Sequence, residues 1–290
     1  MKIRLVTTVA ALAMTAGSAQ ARSDDPRVEI RDAVARVVVI VEDRADVSIE
    51  IDGGSSGLAR PRVTRDGDRV RIDGGLRNRI RECRSGPAGG REPWQGASVE
   101  VRDHGRVELS AAPLIVIRSP RAVSVTGGGA TFGTIGRGAA SVEMGVAGCG
   151  DWTVANVDGP ASLSIGGSGF VRAGTSRSLA VNIGGSGEVT AGSTGDLDVA
   201  IGGSGNVTVA RVNGDLSAAI GGSGDVRVPQ GEVGQFEASI AGGGDITFDG
   251  RARDAEVSLV GSGDVRIRAV TGNVQRSIVG GGSLTIDNRR

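Results

Sequence analysis

Three carboxylates recur along the chain at a spacing that could support chemistry. Asp225, Asp245 and Asp264 each follow a glycine directly, 20 and 19 residues apart. Two carboxylates about 5 to 9.5 Å apart can hydrolyse a glycosidic bond, and aspartates in glycine-rich repeats can bind calcium. In the calcium repeat, however, the aspartate lies two places after its glycine and the period is about nine residues. The equivalent positions in other copies hold Phe170, Glu188 and Asn206. The sequence therefore favours a polar ladder over a metal site or a catalytic pair.

Other residues that could carry catalysis are sparse. His104 is the single histidine and lies in an Asp-His-Gly turn, where we expect it to be solvated. One histidine and two cysteines exclude a zinc cluster built from His and Cys ligands. Aromatic residues make up 2% of the chain, too few for the stacking platforms that sugar sites favour. We therefore expect no catalytic residue, no metal and no cofactor. A polysaccharide-active hydrolase or lyase is the alternative enzyme hypothesis.

The first 21 residues have the features of a secretory signal. Lys2 and Arg4 precede an apolar run, and Ala19-Gln20-Ala21 is a typical cleavage site. Cleavage removes two of 33 basic residues and leaves 31 against 33 acidic ones, a net charge of −2. This balance does not indicate nucleic acid as a partner. No other segment reaches the ~20 apolar residues of a membrane-spanning helix. We expect an exported protein, periplasmic or at the cell surface.

The two cysteines predict a disulfide. Cys83 and Cys149 form an even pair in a chain expected to be exported, where such pairs are usually oxidised. They lie 66 residues apart, and closing a loop of that length stabilises a fold by roughly 4 kcal/mol. Trp152 follows Cys149 closely and is predicted to cover the disulfide, whereas Trp94 is expected to be exposed.

A basic segment surrounds the first cysteine. Residues 74–97 form a Gly/Pro/Arg-rich insertion, and residues 60–91 hold ten arginines against four acidic residues, a net of +6. One interpretation is a solvated loop tied down by Cys83. The other is a binding site for an anionic envelope polymer, because guanidinium groups make forked contacts to phosphate or carboxylate. The residues that would carry this binding are Arg77, Arg79, Arg81 and Arg84.

The strongest pattern is a repeat of about nineteen residues built around Ile-Gly-Gly-Ser-Gly. Between the glycine turns apolar residues alternate with polar or small ones, as at Leu197, Val199 and Ile201. A period of two indicates strands with one buried face. A unit this short buries that face only by stacking on its neighbours. The final glycines of successive copies are Gly150, Gly169, Gly187, Gly205, Gly224, Gly244, Gly263 and Gly282.

The repeat predicts an all-β fold, a right-handed parallel β-helix (β-solenoid) with rungs of about 19 residues. The glycines would allow positive φ in a sharp corner or a close approach of stacked corners. The serines of the turns would form a ladder whose hydroxyls bond neighbouring backbone. A β-propeller with two repeats per blade is the alternative architecture.

The domain organisation follows from the extent of the repeats. Residues 22–290 are expected to form one solenoid domain after the signal peptide at 1–21. Residues 126–290 carry the regular repeats, and residues 28–125 are predicted to form irregular opening rungs with a cap. Strands are predicted at 28–30, 37–41, 47–51, 99–101, 107–109 and 114–117, with a tight hairpin around Asp66-Gly67.

The Ile-Gly-Gly-Ser-Gly-[Asp/Glu/Asn]-Val repeats resemble the GIN domain family, a domain of unknown function described as the head of an auto-transporter adhesin. The segment from Val28 to Ile72, with its strand pairs and Asp66-Gly67 turn, resembles the start of that family. The resemblance covers most of the chain after residue 21. It implies a right-handed β-helix, export and no established enzymatic activity, and it supplies no catalytic residues.

We therefore expect an exported, non-enzymatic structural or binding module of the cell envelope, adhesin-like in character. Its partner would be an envelope polysaccharide or a protein. Two alternatives remain beside this hypothesis: a polysaccharide-active enzyme on the same scaffold, and a subunit of a self-assembling surface fibre.

Overall fold

The computed structural model describes residues 26–87 and 90–288. The protein is nearly all β, with 63% strand and 2% helix, and its parallel coils stack into a β-solenoid of about 9 turns, about 19 residues apart. The predicted β-solenoid is confirmed. The predicted export signal lies outside the described residues. Within the described residues, no helix is long and apolar enough to cross a membrane.

The strands fall into an irregular N-terminal group and a regular solenoid group. The first group is β1 Arg27–Val41, β2 Ser48–Asp52, β3 Arg62–Asp66, β4 Arg69–Asp73, β5 Ile80–Arg84, β6 Ser98–Val101, β7 Gly105–Glu108 and β8 Leu114–Ser119. Two single 3-10 turns occur at Arg77–Arg79 and Leu109–Ala111.

The solenoid group continues to the last described rung. Its strands are β9 Ala122–Ile135, β10 Ser141–Cys149, β11 Asp151–Val154, β12 Pro160–Ile165, β13 Phe170–Ala173, β14 Ser178–Ile183, β15 Glu188–Thr194, β16 Asp196–Ile201, β17 Asn206–Val212, β18 Leu216–Ile220, β19 Val226–Val228, β20 Glu232–Gly242, β21 Ile246–Gly261, β22 Val265–Val270, β23 Val274–Gly280 and β24 Leu284–Ile286.

Regular rungs contain one strand before the glycine turn and one after it. Leu163 of β12 pairs in parallel with Val181 of β14, which pairs with Val199 of β16. The strands after the turns form a second parallel ladder through β13, β15 and β17. The β-propeller alternative is wrong, because equivalent strands pair in parallel whereas the strands of a blade are antiparallel.

The final glycine of each Gly-Gly-Ser-Gly turn is required by close approach. A Cβ atom on Gly187 would lie 2.5 Å from Cγ2 of Ile165 and 2.8 Å from the carbonyl oxygen of Gly169, both in the preceding rung. Gly187 does not have a positive φ, so the close approach of stacked corners is the predicted reason that applies here. Positive φ occurs at some other corners, such as Gly150 with φ 127°.

Adding a methyl group at this corner should destabilise the fold. We expect Gly187→Ala to lower the free energy of unfolding by about 1–3 kcal/mol, because the new Cβ overpacks a tightly stacked turn. Gly184→Ala is the matched control in the same turn, since a Cβ there meets nothing within 4 Å. Urea denaturation of both variants tests this, and equal stabilities would contradict the close-approach explanation.

The serine ladder is held by backbone groups. The N–H of Ser186 donates to the carbonyl oxygen of Gly167 at 3.0 Å, and the N–H of Ser204 donates to that of Gly185 at 3.0 Å. The predicted ladder therefore exists, but its inter-rung hydrogen bonds come from the main chain, whereas the prediction gave that role to the hydroxyls.

The N-terminal end of the solenoid is closed by strands that do not stack in chain order. β1 pairs in parallel with β9 on one side and with β4 and β8 on the other. Outside these, β2 pairs antiparallel with β8, and β3 pairs antiparallel with β4 around the predicted Asp66-Gly67 hairpin. The predicted cap is thus present, built from two antiparallel strands.

A separate sheet lies beside the solenoid. β5, β6 and β7 form a three-stranded antiparallel sheet, called here the accessory sheet. Its core contains Val99, Val101 and Val107 together with Val34 and Phe132 of the solenoid. The strands predicted at 99–101 and 107–109 were expected to belong to the opening rungs and cap of the solenoid, whereas they form this separate sheet. Alternation of apolar residues indicates a half-buried strand but not the sheet to which it belongs.

Candidate binding site

A basic concavity lies between the accessory sheet and the N-terminal cap. It is a pocket of about 650 Å³ whose charged lining residues are Arg60, Arg62, Arg77, Arg79, His104 and Asp73. We call it the arginine pocket. It collects four guanidinium groups and one carboxylate from segments that are distant in sequence.

Three local features place these residues. The linker after β2 carries Arg60, and β3 begins at Arg62. After β4, the N–H of Gly75 donates to Oδ1 of Asp73 at 2.8 Å, and Gly75 has φ 70°. This sharp turn leads directly into the 3-10 turn that carries Arg77 and Arg79.

The backbone of Arg77 supports a special role for this turn. Arg77 has φ 43°, a left-handed conformation that non-glycine residues seldom adopt. Leu76, directly before it, is buried, and its N–H donates to the carbonyl oxygen of Asp32 at 2.9 Å. A buried leucine and a β1 hydrogen bond therefore hold an exposed arginine in an uncommon conformation, as is common at ligand-binding positions.

The pocket arginines keep their charges unneutralised. Nε and Nη2 of Arg79 donate to the carbonyl oxygen of Arg102 at 3.3 and 3.2 Å, and Arg60 donates to the carbonyl oxygen of Ile51. None of the four arginines forms an ion pair with another residue of the described chain. Carbonyl acceptors orient a guanidinium without cancelling its charge.

His104 lies at the rim on the turn between β6 and β7. Its Nε2 is 2.8 Å from the carbonyl oxygen of Ser56. This contact joins the accessory sheet to the linker that carries Arg60. His104 was expected to be a solvated turn residue, and it is exposed in the structure.

The structure places two of the four arginines predicted to bind an anionic polymer in the pocket and two outside it. Arg77 and Arg79 line the pocket, together with Arg60 and Arg62, which the sequence placed only within a basic segment. Arg81 and Arg84 lie on β5, outside the pocket lining, and Arg84 forms an ion pair with Glu82 at 3.1 Å. The charge excess over residues 60–91 was the one sequence signal that included Arg60 and Arg62.

The predicted disulfide is confirmed and fastens the accessory sheet to the solenoid. Cys83 of β5 is bonded to Cys149 at the end of β10, with a Cα–Cα distance of 6.2 Å. Cys149 occupies the position that serine holds in several later glycine turns, at Ser168, Ser186, Ser204 and Ser223. Because Cys83 follows Arg79 by four residues, the disulfide also restrains one wall of the arginine pocket.

The predicted role of Trp152 at the disulfide is wrong. Trp152 is buried in the solenoid core, where its Nε1 donates to Oγ1 of Thr131 at 3.4 Å. Trp94, which was expected to be exposed, is partly buried against the accessory core together with both cysteines. Proximity in sequence to Cys149 was misleading, because successive side chains of a strand point to opposite faces.

A second contact, beside the disulfide, joins the accessory sheet to the solenoid. The hydroxyl of Ser85 donates to Oδ1 of Asp151 at 3.0 Å. Burial raises the pKa of Asp151 above its usual value of 3.8, although the Ser85 hydrogen bond and nearby Arg172 act in the opposite direction. Burial of this side chain therefore disfavours its charged form.

This raised pKa predicts a pH dependence of stability. Above 3.8 the unfolded chain loses the Asp151 proton before the folded chain does, so the free energy of unfolding falls as pH rises through that interval. We expect Asp151→Asn to remove this fall, so the stability of the variant relative to wild type should increase as the pH rises above 3.8. Urea denaturation across this range measures it, and a difference that does not change with pH would contradict it.

The recurring aspartates act as backbone acceptors. Oδ1 of Asn206, Asp225 and Asp245 accepts the N–H of the equivalent residue in the next rung at 3.0, 3.0 and 2.9 Å. Asp264 accepts the N–H of Ser283 at 2.8 Å. The predicted polar ladder is present, and its hydrogen bonds run between rungs. No group of three or more His, Cys, Asp or Glu residues that could hold a metal occurs within residues 26–87 and 90–288.

Comparisons with known proteins agree with the fold and the repeat. Residues 191–289 match the family model described as "Putative auto-transporter adhesin, head GIN domain". A crystal structure described as a putative adhesin from Parabacteroides distasonis ATCC 8503 superimposes with a TM-score of 0.56 at 17% identity, covering 90% of this chain and 92% of that one. At this identity the likeness shows the fold alone. No curated protein matches the chain. The resemblance predicted from the glycine repeats is thus confirmed: residues 191–289 match the GIN domain family.

Proposed function

We propose that the protein is an exported, non-enzymatic binding module of the cell envelope whose arginine pocket takes an anionic group of an envelope polysaccharide. The adhesin-like family match and the fold of the solved relative support a binding or adhesion-like module. Residues 22–290 would form the single exported domain. The pocket supplies the chemistry of recognition.

The observation that carries the proposal is the charge of the pocket. Four arginines and one aspartate line a concavity of about 650 Å³, and those arginines have no ion-pair partner in the described chain. Guanidinium forks match the two oxygens of a carboxylate or phosphate. A polysaccharide that carries uronic acids or phosphate groups presents such oxygens repeatedly.

Export is supported by two independent features. The first 21 residues have the pattern of a secretory signal. The Cys83–Cys149 disulfide is typical of proteins that fold in an oxidising compartment. An anionic polymer of the envelope is therefore a ligand that the protein would meet after export.

A non-enzymatic role agrees with the use of the recurring aspartates. Asp225 and Asp245 accept backbone N–H groups of the following rungs, so their Oδ1 atoms are engaged in the stacking of the solenoid. These carboxylates lie at tight turns of regular rungs and not in the arginine pocket. This arrangement supports a rigid scaffold that presents a binding pocket.

Co-sedimentation with isolated envelope fractions tests the proposal. Purified protein lacking residues 1–21 would be mixed with outer membrane, peptidoglycan and capsular polysaccharide across a salt series. We expect binding to a fraction rich in anionic polysaccharide that weakens as salt increases, because mobile ions screen the arginine contacts. Absence of binding to every fraction, or binding that salt does not weaken, would contradict it.

A further inference from the structure

One column of core residues runs along the solenoid from β9 to β23, and its last member is an arginine. The register places equivalent residues of successive rungs directly above one another. The column is Val125, Met144, Leu163, Val181, Val199, Ala218, Ala238, Val257 and finally Arg276. Its first eight members are all buried. Arg276 thus occupies, on the last described rung, a position that is apolar in every other rung of this column.

No strand of the described residues covers the outer side of the rung that carries Arg276. Within the described chain, β23 pairs only with β21, and β24 pairs only with β22. Val274 of β23, in register with buried Ala255, is exposed, and the core-facing Ile278 is half-buried. The other end of the solenoid is covered by the antiparallel strands β2 and β3. This end therefore offers unpaired backbone groups and apolar side chains, which is the surface on which another chain could stack.

We propose that Arg276 prevents a second copy of this chain from adding to the open rung. A rung stacked on β23 would enclose the guanidinium in an apolar column, and burying an unpaired charge is strongly unfavourable. An inward-pointing charge on an edge strand is an established way to block edge-to-edge association.

Within the described residues, Arg276 forms no ion pair, and the two aspartates nearest this end have other partners. Asp264 accepts hydrogen bonds from the N–H and the hydroxyl of Ser283, both at 2.8 Å. Asp287 is bonded to Arg266, whose Nε and Nη2 lie 3.1 and 2.6 Å from its Oδ2. A second copy docked by the same end would bring a second Arg276 to the interface and so add repulsion.

Removing this charge should allow end-to-end association. We expect wild type to keep the mass of a monomer in light scattering across a concentration series. The mass of Arg276→Val from light scattering should be about twice that of wild type at the same concentrations, since pairing of two identical ends gives a dimer. Arg268→Val is the matched control, because it removes an exposed arginine on the adjacent strand β22 that lines a lateral groove.

A second variant tests whether any association of Arg276→Val results from loss of the positive charge. The double variant Arg276→Val with Ile278→Lys returns a positive charge to the same core-facing side of β23 and should restore the monomer mass. The proposal is overturned if Arg276→Val remains monomeric, if Arg268→Val associates equally, or if the double variant stays associated. Association of wild type through this end would overturn it as well.

Discussion

Converting the four arginines of the arginine pocket to serine is expected to abolish most binding of an anionic polysaccharide. Each charge-assisted contact at a partly exposed site contributes about 0.5–1 kcal/mol. The sum of about 2–4 kcal/mol corresponds to a loss of affinity of roughly 30- to 1000-fold. Titration with polygalacturonate by calorimetry measures this directly, and neutral dextran controls for contacts that do not involve charge.

The matched control for the pocket variant lies on the same segment. Arg81→Ser with Arg84→Ser removes two positive charges from β5, outside the pocket lining. We expect this double variant to bind polygalacturonate within about threefold of wild type, because surface charges outside the contact act only through screened long-range attraction. Equal loss of affinity in the two variants would show that binding depends on the general charge of the basic segment, and the pocket assignment would then be wrong.

Loss of the disulfide is expected to have the second large effect. Closing a loop of 66 residues stabilises the folded state by about 4 kcal/mol in the chain-entropy model. We expect Cys83→Ser with Cys149→Ser to lower the free energy of unfolding by about that amount. Affinity for polygalacturonate should fall as well, since the disulfide fastens β5 close to Arg79. Urea denaturation and the same calorimetric titration provide the two readouts.

Reductant gives an internal control for this prediction. Treating wild type with reductant should reproduce the stability and the affinity of the double serine variant, and reductant should leave that variant unchanged. A wild-type protein whose stability is the same with and without reductant would contradict the stabilising role of the disulfide.

The regular part of the fold could be predicted from the sequence because each repeat restates the same physical requirements. Leu197, Val199 and Ile201 alternate with polar or small residues, which specifies a strand with one buried face. Gly187 and its equivalents recur where stacked turns leave no space for a Cβ atom. Repetition of both signals at a nearly constant interval leaves few architectures other than a solenoid.

The N-terminal third could not be predicted to the same degree because its strands do not stack in chain order. β1 lies between β9 and the pair β4 and β8, although β4 and β8 follow it in sequence by many residues. Alternation predicted most of these strands individually. It does not specify their partners, which depend on long-range pairing and on the turns between them.

The arginine pocket illustrates the same limit at the level of a site. Arg77 and Arg79 were predicted because they lie in a conspicuous basic run. Arg60 and Arg62 join them only because the β3–β4 hairpin brings the linker back beside that run. Arg81 and Arg84 belong to the same run, but they lie on β5, outside the pocket lining. The density of arginines along the sequence therefore predicted the region of the pocket, but only the fold shows which arginines line it.

Arginine footprinting tests the central claim most directly. Phenylglyoxal modification of the wild-type protein would be quantified by peptide mass spectrometry with and without polygalacturonate. We expect the ligand to protect the pocket arginines at positions 60, 62, 77 and 79, whereas the exposed Arg81 should remain reactive. Protection confined to other arginines, such as Arg211 or Arg268 of the solenoid, would contradict the account, as would unchanged reactivity throughout while the polymer is bound.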